Sequence, residues 1–236
     1  MIFISIFNDG TIICVCCKER LKPQLFSKSV KNLGICRDCF EKIEPVPLFN
    51  PLEGTKSVNY YVSGFYYNDT LKTLIHRYKF NSEFGFSDLF TSMLYDRIKD
   101  IKELNDFDFI TSVPISRQRF LSRGYNQSEL IARQISKQLN IPYVMCIHKH
   151  KHTVAQSLLR KSKRITNIRG AFIADTQRVR NKRILLIDDI ITTGSTMNEC
   201  ANELLKENAE FVAGISFAIT KRKIISEALS ILGSGF

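Results

Sequence analysis

The residues best suited to chemistry lie between Lys182 and Cys200, where the apolar run Ile184-Leu185-Leu186-Ile187 ends in Asp188-Asp189 and then in Thr192-Thr193-Gly194-Ser195-Thr196. A loop of hydroxyls around one glycine, opening a helix near Ser195, is a nest for a phosphate dianion, because it offers unpaired N–H groups at the positive end of a helix. The two carboxylates repel phosphate and need another partner. Ionised carboxylates only accept hydrogen bonds, and the vicinal hydroxyls of a ribose supply two donors. A ribose 5-phosphate is therefore the simplest ligand using both halves of the stretch. The plainer alternative is an ordinary strand, turn and capped helix with surface aspartates. Neither G-x-x-x-x-G-K-[ST] nor G-x-G-x-x-G occurs in the chain,.

A second constellation is made of cysteines. Cys14-x-x-Cys17 and Cys36-x-x-Cys39 are separated by 18 residues, a spacing that lets four thiolates close a tetrahedral zinc site. With four protein ligands the metal is structural, holding a ribbon too poor in apolar residues to fold unaided. Cys16 competes with Cys17 for the fourth position, and five reduced cysteines without a metal are the alternative. Cys146 and Cys200 sit among apolar neighbours and read as core.

These groups need a scaffold. Ile184–Ile187 suits a strand buried on both faces of a parallel sheet, whose carboxyl end is where open α/β sheets bind ligands. Phe107–Val113 is expected as the first strand of that sheet. The loop Pro114–Arg123 after it carries Arg117, Arg119 and Arg123. Asn126 with Glu129 resembles a capping box for a helix with Ile131, Ile135 and Leu139 on one face. Ile141–Ile147 is the next expected strand. It runs into His148, His150 and His152, which share one face and either bind a metal or form an exposed strand end. Earlier in the chain, Pro45, Pro47 and Pro51 mark a linker, Tyr60–Tyr67 is β-rich, and Asn68-Asp69 caps a helix bearing Leu71, Leu74, Ile75 and Tyr78. A helix is expected over Phe86–Lys102 and another over Met197–Asn208. Phe211–Ile219 follows as a buried strand. Residues 221–236 form a tail or short helix that packs on the core or serves an oligomer contact.

The 236 residues, 44% of them hydrophobic, can build a sizeable core, and a formal charge of +11 with a pI near 9.4 points to polyanionic partners,. The charge is local: Lys149–Arg183 holds eleven Lys or Arg against the single acid Asp175. It is read either as a phosphate-binding segment or as a solvated basic loop. No stretch approaches the ~20 apolar residues of a membrane helix, and the expected location is the cytoplasm.

The region Ile184–Thr196 resembles the phosphoribosyl-diphosphate (PRPP) signature of type I phosphoribosyltransferases. Three further pieces make the chain resemble the ComF family, in its ComFC-type members, from about Cys14 to Thr220. They are Val113-Pro114 leading to Arg123-Gly124-Tyr125-Asn126-Gln127, then Gln156, Arg164 and Asn167 before Gly170-Ala171-Phe172, and the two Cys-x-x-Cys pairs. The resemblance implies an α/β domain of type I phosphoribosyltransferase fold, mostly parallel with helices on both faces, behind an N-terminal zinc ribbon. The division it suggests is ribbon 1–45, linker 46–59, transferase-like domain 60–220 and tail 221–236. It implies PRPP bound with Mg²⁺. Thr192, Thr193, Gly194, Ser195 and Thr196 would take the 5-phosphate, and Asp188 and Asp189, the catalytic candidates, would take the ribose. Val113, Pro114, Ile115, Ser116, Arg117 and Arg123 would take the pyrophosphate. Arg160, Lys161, Lys163 and Arg164 fall in what resembles the mobile loop. The link of the family to DNA uptake implies single-stranded DNA as a partner, with Phe26, Phe40 or Tyr61 available for stacking, and a DNA-translocating helicase as another. No stretch announces a base-binding hood, so the acceptor stays open. So does the choice between an enzyme, a nucleic-acid binder that keeps PRPP as a regulatory ligand, and an adaptor docking through the ribbon.

Overall fold

The computed structural model describes residues 12–21, 35–47, 58, 60–80, 85–150 and 168–221. The chain enters through β1 (Ile12–Ile13) and β2 (Arg20–Leu21), paired antiparallel, and then the short helix α1 (Arg37–Glu41). Next come β3 (Tyr60–Tyr66), α2 (Asp69–Phe80), α3 (Gly85–Ile98) and a 3₁₀ turn at Lys102–Asp106. The central part holds β4 (Phe109–Ser112), α4 (Arg117–Arg123), α5 (Gln127–Leu139), β5 (Ile147–Lys149), β6 (Phe172–Ala174) and α6 (Thr176–Val179). It closes with β7 (Arg183–Ile191), α7 (Ser195–Lys206) and β8 (Phe211–Ile219).

Four strands form one parallel sheet in the order β3–β8–β7–β4. Ile184, Leu185, Leu186 and Ile187 of β7 are all fully buried, as a strand covered on both faces requires. Successive residues feed opposite sides. Leu185 and Ile187 join the cluster made with Leu71, Leu74, Leu89, Leu94, Ile131 and Ile135 of α2, α3 and α5. Ile184 and Leu186 join the cluster made with Met197, Cys200, Ala201 and Leu204 of α7. Helices therefore cover both faces of the sheet.

Both edges of the sheet are occupied, which removes the exposed row of backbone groups that invites aggregation. Tyr66 donates its N–H to Glu44 O (2.8 Å) and Val46 donates to Gly64 O (3.0 Å), so the segment leaving α1 lies along β3. On the other side Ile110 N–H reaches Pro142 O (2.8 Å) and Val144 N–H reaches Ile110 O (2.9 Å). The cysteine unit is continuous with the first apolar cluster: Cys14, Ile35, Cys36, Cys39 and Ile43 belong to it with the buried face of α2.

Several expectations are corrected. Phe107–Val113 is not the first strand of the sheet, because β3 joins it by pairing with β8, some 150 residues away in sequence, a partner no local pattern reveals. The helix expected to run to Lys102 ends at Ile98, and the 3₁₀ turn follows. Ile141–Ile147 yields a single bridge at Tyr143, since Pro142 has no N–H to give a ladder; the strand proper, β5, pairs antiparallel with β6,. Pro114–Arg123 is mostly helix rather than loop: Ser116 caps α4 by accepting from Arg119 N–H, and Gly124 ends it at φ 78°. Asn126 does cap α5, but Glu129 turns to Arg133 (2.9 Å) instead of closing the box. Tyr61 is buried at 3% exposure and Phe40 packs against the core, so Tyr61 has no face to stack on DNA. Phe26, Gln156, Arg160, Lys161, Lys163, Arg164, Asn167, His152 and residues 222–236 lie outside the described residues.

Phe217 of β8 is fully buried, with ring centroids 4.4 Å from Phe90 and 5.4 Å from Phe65. Phe217→Ala is expected to lower the unfolding free energy by about 3–5 kcal/mol, read as a shift in the urea midpoint. A loss below ~1 kcal/mol, the ordinary cost of a point change, would show that these rings do not carry the packing assigned to them.

Candidate functional site

The sequence-expected residues converge on the carboxyl edge of the sheet. The parallel ladder between β4 and β7 ends where Val113 N–H meets Ile187 O at 2.9 Å. Beyond that point β4 turns away into Pro114–Ser116, and the next β7 donor, the Asp189 N–H, has lost its strand partner. Ser128 on the first turn of α5 replaces it. Its Oγ accepts from Asp189 N–H at 3.1 Å and donates to Asp188 Oδ1 at 2.9 Å. Asp188 Oδ1 also accepts the Asp189 N–H, at 2.8 Å. Next door, Asn126 donates Nδ2–H to Val113 O at 3.0 Å while its Oδ1 caps α5 through Ser128 N–H at 3.2 Å. One helix start therefore pins both strand ends.

The carboxylates differ. Asp188 is buried (8% exposed), whereas Asp189 is half-buried and its Oδ1 accepts Ile190 N–H at 2.7 Å. Both remain within β7 and not in the loop beyond it. Arg123 and Tyr67 lie within the field of Asp189. Burial pulls the Arg123 guanidinium down from its usual value, with crowding by Arg119 adding to this and Asp189 opposing it. Burial, then Asp189, pushes the Tyr67 phenol up.

After Ile191 the chain makes the hydroxylated turn. Gly194 caps α7 at φ 70°, a left-handed conformation that a side chain strains,. It offers no side-chain acceptor to the first helical turn. Thr193 and Ser195 hydroxyls lie 2.9 Å apart, and Thr220 Oγ1 donates to Thr192 O at 3.1 Å, which ties the loop to the end of β8. Asp188 and residues 190–197 surround a hollow of about 20 Å³, room for one or two water-sized oxygens. Ser195 N–H is taken by Thr193 Oγ1 at 3.4 Å, but Gly194 itself has no side chain to cap the helix, and a helix N-terminus of that kind, framed by hydroxyls, can offer N–H donors to an oxyanion while carboxylates beside it can accept from hydroxyl donors.

The sequence reading did not single out Ser128, Tyr67, Tyr143 or Lys149. Ser128 left a faint signal, a hydroxyl two residues past a helix cap. The others are placed only by tertiary contacts.

Of the cysteines, Cys14, Cys17, Cys36 and Cys39 gather with all four Sγ atoms within 4.8 Å of one another, and Cys17 Sγ lies 3.8 Å from Cys36 Sγ. Tetrahedral zinc with ~2.3 Å bonds sets sulfurs ~3.8 Å apart, so the donor set fits that ion. Backbone N–H groups already point at these sulfurs: Cys16 and Cys36 N–H at Cys14 Sγ (3.4 and 3.3 Å), and Cys39 N–H at Cys36 Sγ (3.4 Å). Burial pushes Cys17 and Cys36 up to about 11 and Cys39 up to about 12. It acts on Cys14 as well, but there the backbone donors win and hold the thiol at about 7. Cys16 turns its sulfur towards Thr70 O, 4.0 Å away, outside the cluster.

The family model described as Phosphoribosyl transferase domain matches residues 126–227. Competence protein F of Haemophilus influenzae is 32% identical over 211 residues, covering 84% of this chain and 92% of that protein. Competence protein ComFC of Streptococcus pneumoniae is 34% identical over 143 residues, 61% of this chain and 60% of the relative. DNA utilization protein YhgH of Escherichia coli K12 is 29% identical over 150 residues, 62% of this chain and 66% of the relative.

Removing the Ser128 hydroxyl takes one donor from a buried carboxylate and one acceptor from the freed β7 N–H. Ser128→Ala is expected to cost about 1.5–3 kcal/mol of stability, the range for a hydrogen bond to a charged group, and to speed amide exchange at Asp189. Chemical denaturation with hydrogen-exchange mass spectrometry checks both. Wild-type exchange in the variant would show that the strand end holds without the clamp.

Proposed function

The chain belongs to the ComF family, and on that premise we propose that it binds PRPP with Mg²⁺ at the carboxyl edge of its sheet and takes part in DNA uptake. One observation carries the ligand: a carboxylate pair, an uncapped helix N-terminus and an arginine-bearing turn meet at the ends of two adjacent parallel strands. In this reading Thr192–Thr196 hold the 5-phosphate, and Asp189 with Asp188 accepts from the ribose hydroxyls. The Val113–Arg117 turn and Arg123 face the pyrophosphate. Mg²⁺ arriving with PRPP supplies charge neutralisation for the pyrophosphate. The chain's own residues supply position and fixed charge. In a transfer reaction the bond from ribose C1 to pyrophosphate breaks as a bond from C1 to an acceptor nitrogen forms. The DNA-uptake role is supported by the names of the relatives, two competence proteins and a DNA utilization protein.

A second reading is favoured by the eleven basic residues between Lys149 and Arg183: a single-stranded nucleic-acid binder or helicase-partner adaptor that keeps PRPP as a regulatory ligand. The division at 45, 59 and 220, and a cytoplasmic location, belong to the proposal. No helix among the described residues is long and apolar enough to cross a membrane.

Calorimetric titration of PRPP with Mg²⁺ tests the site. Asp189→Asn leaves the Ser128–Asp188 clamp in place and is expected to weaken binding by roughly 1.5–3 kcal/mol, about tenfold or more; adding Asp188→Asn weakens it further. Unchanged affinity in the double variant would remove the ribose role. Pyrophosphate release across nucleobases and oligonucleotides then separates the two readings: binding without release favours the regulatory one.

For the cysteine cluster we propose one structural zinc. Three of the four thiols hold their protons well above neutral pH, so the metal must displace them, and zinc affinity is expected to fall as pH falls. Cys36→Ser should release the ion and loosen the cysteine unit while the parallel sheet persists. Elemental analysis of protein purified without chelator checks this, and a metal-free protein would count against it.

A further inference from the structure

Away from the Asp188–Thr196 loop, the structure contains a cleft of about 270 Å³ on the outer flank of β4, between α4 and the chain from Tyr143 to Lys149. Because β4 separates it from β7, it is a different place from the carboxylate pair, though Pro114–Arg117 forms one of its walls.

Its lining combines two kinds of surface. One is cationic. Arg117 lines the cleft, and Lys149, half-buried, is pulled below its usual value by burial and by the neighbouring Arg119. Among the described residues none of these three cations makes an ion pair, and Glu129 on the same wall is already paired with Arg133 at 2.9 Å. Like charges crowded at a half-buried position are costly until an anion joins them. The other surface is apolar and flat-sided. Phe120 is 47% exposed and Met145 40% exposed, facing the same space as Tyr143. Between them, the hydroxyls of Ser112 and Tyr143 lie 3.0 Å apart and can both donate and accept,. Arg133 stacks over the Tyr143 ring at 4.2 Å and fixes its position.

A bare phosphate or pyrophosphate has no use for Phe120 and Met145, and an apolar ligand has no use for Lys149 and Arg117. A planar base carrying a phosphate uses both, in the combination of stacking surface and cation by which proteins hold single nucleotides. The volume of about 270 Å³ falls just below the ~300 Å³ at which drug-sized ligand pockets begin,, and suits one base with its sugar-phosphate outside at the mouth. We propose that this cleft is a second ligand site, for one nucleoside monophosphate unit, either free or as a residue of a single strand. It does not depend on the PRPP reading, since Phe120, Met145, Tyr143 and Lys149 have no part in that reading, and only the Pro114–Arg117 wall is shared with the proposed pyrophosphate turn.

The test titrates full-length protein with deoxynucleoside 5′-monophosphates and with short single-stranded oligonucleotides, by saturation-transfer NMR and fluorescence anisotropy, beside a PRPP titration. Phe120→Ser and Lys149→Met are each expected to weaken nucleotide binding at least about fivefold and to leave PRPP affinity as it was. Loss for mononucleotide and oligonucleotide alike identifies the free nucleotide as sufficient. Loss for oligonucleotide alone identifies a unit within a strand. The proposal is overturned if neither ligand binds saturably, if both variants bind as wild type does, or if Phe120→Ser changes only sedimentation, which would make the patch a contact between copies of the chain. PRPP binding lost in wild type, with nucleotide binding retained, would defeat the phosphoribosyl reading and leave this one standing.

Discussion

Two adjacent parallel strands part company at their carboxyl ends, and the structure depends on how that parting is bridged. Strand β4 must leave the sheet for its turn while β7 continues through Asp188 and Asp189 to Ile191. The opening this makes is where a ligand can reach backbone that a sheet would otherwise cover. Left alone it would strand a buried carboxylate and a donor, at several kcal/mol. The first turn of α5 fills the gap with two short polar side chains, Ser128 towards β7 and Asn126 towards Val113 O. A single rigid helix, buried through Ile131, Ala132 and Ile135, thereby fixes the distance between the two loops proposed to share one ligand.

The cysteine unit obeys a different constraint. Its two strands are two residues each and its helix is five, too short to stand without a cross-link. Yet its buried cysteines merge into the cluster behind α2, and the chain leaving it lies along β3. The proposed metal would then brace one edge of the parallel sheet as well as the ribbon, and Ile110's partners at Pro142–Val144 guard the other edge without any metal.

How much could be read in the residues varied with the range of the interaction. Ile184–Ile187, the start of α7 at Ser195, the span Phe211–Ile219 and the Asn68 cap of α2 were legible, because burial on two faces, glycine at a cap and side-chain capping are local signals. The four cysteines were legible because metal spacing is local too, and the geometry separates Cys16 from the cluster, which the spacing alone had left open. Sheet membership of β3 was not, since its partner is distant in sequence. Nor was α4, where three arginines in seven residues masked a helix whose cap, Ser116, and stop, Gly124, are both present. Lys149 looked like one more charge in a basic run. Only the fold shows it half-buried beside Arg119.

The arrangement of charge at the sheet edge gives the strongest reason to take the chemistry seriously. Asp188 and Asp189 occupy its middle. On one side stands the positive end of α7 with its hydroxylated loop; on the other stand the arginines of α4, among them Arg123, whose charge burial and then the neighbouring Arg119 disfavour. Cation, acid, cation in that order fits a ligand that is anionic at both ends and carries hydroxyls between, because each mismatch of order would set like charges together or leave donors without acceptors. A sugar phosphorylated at two positions has that order. A nucleic-acid backbone does not, since its charges recur along the strand with no acid-seeking diol in DNA between them. The polyanion reading therefore belongs to the basic segment and the outer cleft, and the phosphoribosyl reading to the edge itself, and the two meet at the Pro114–Arg117 turn, which borders both.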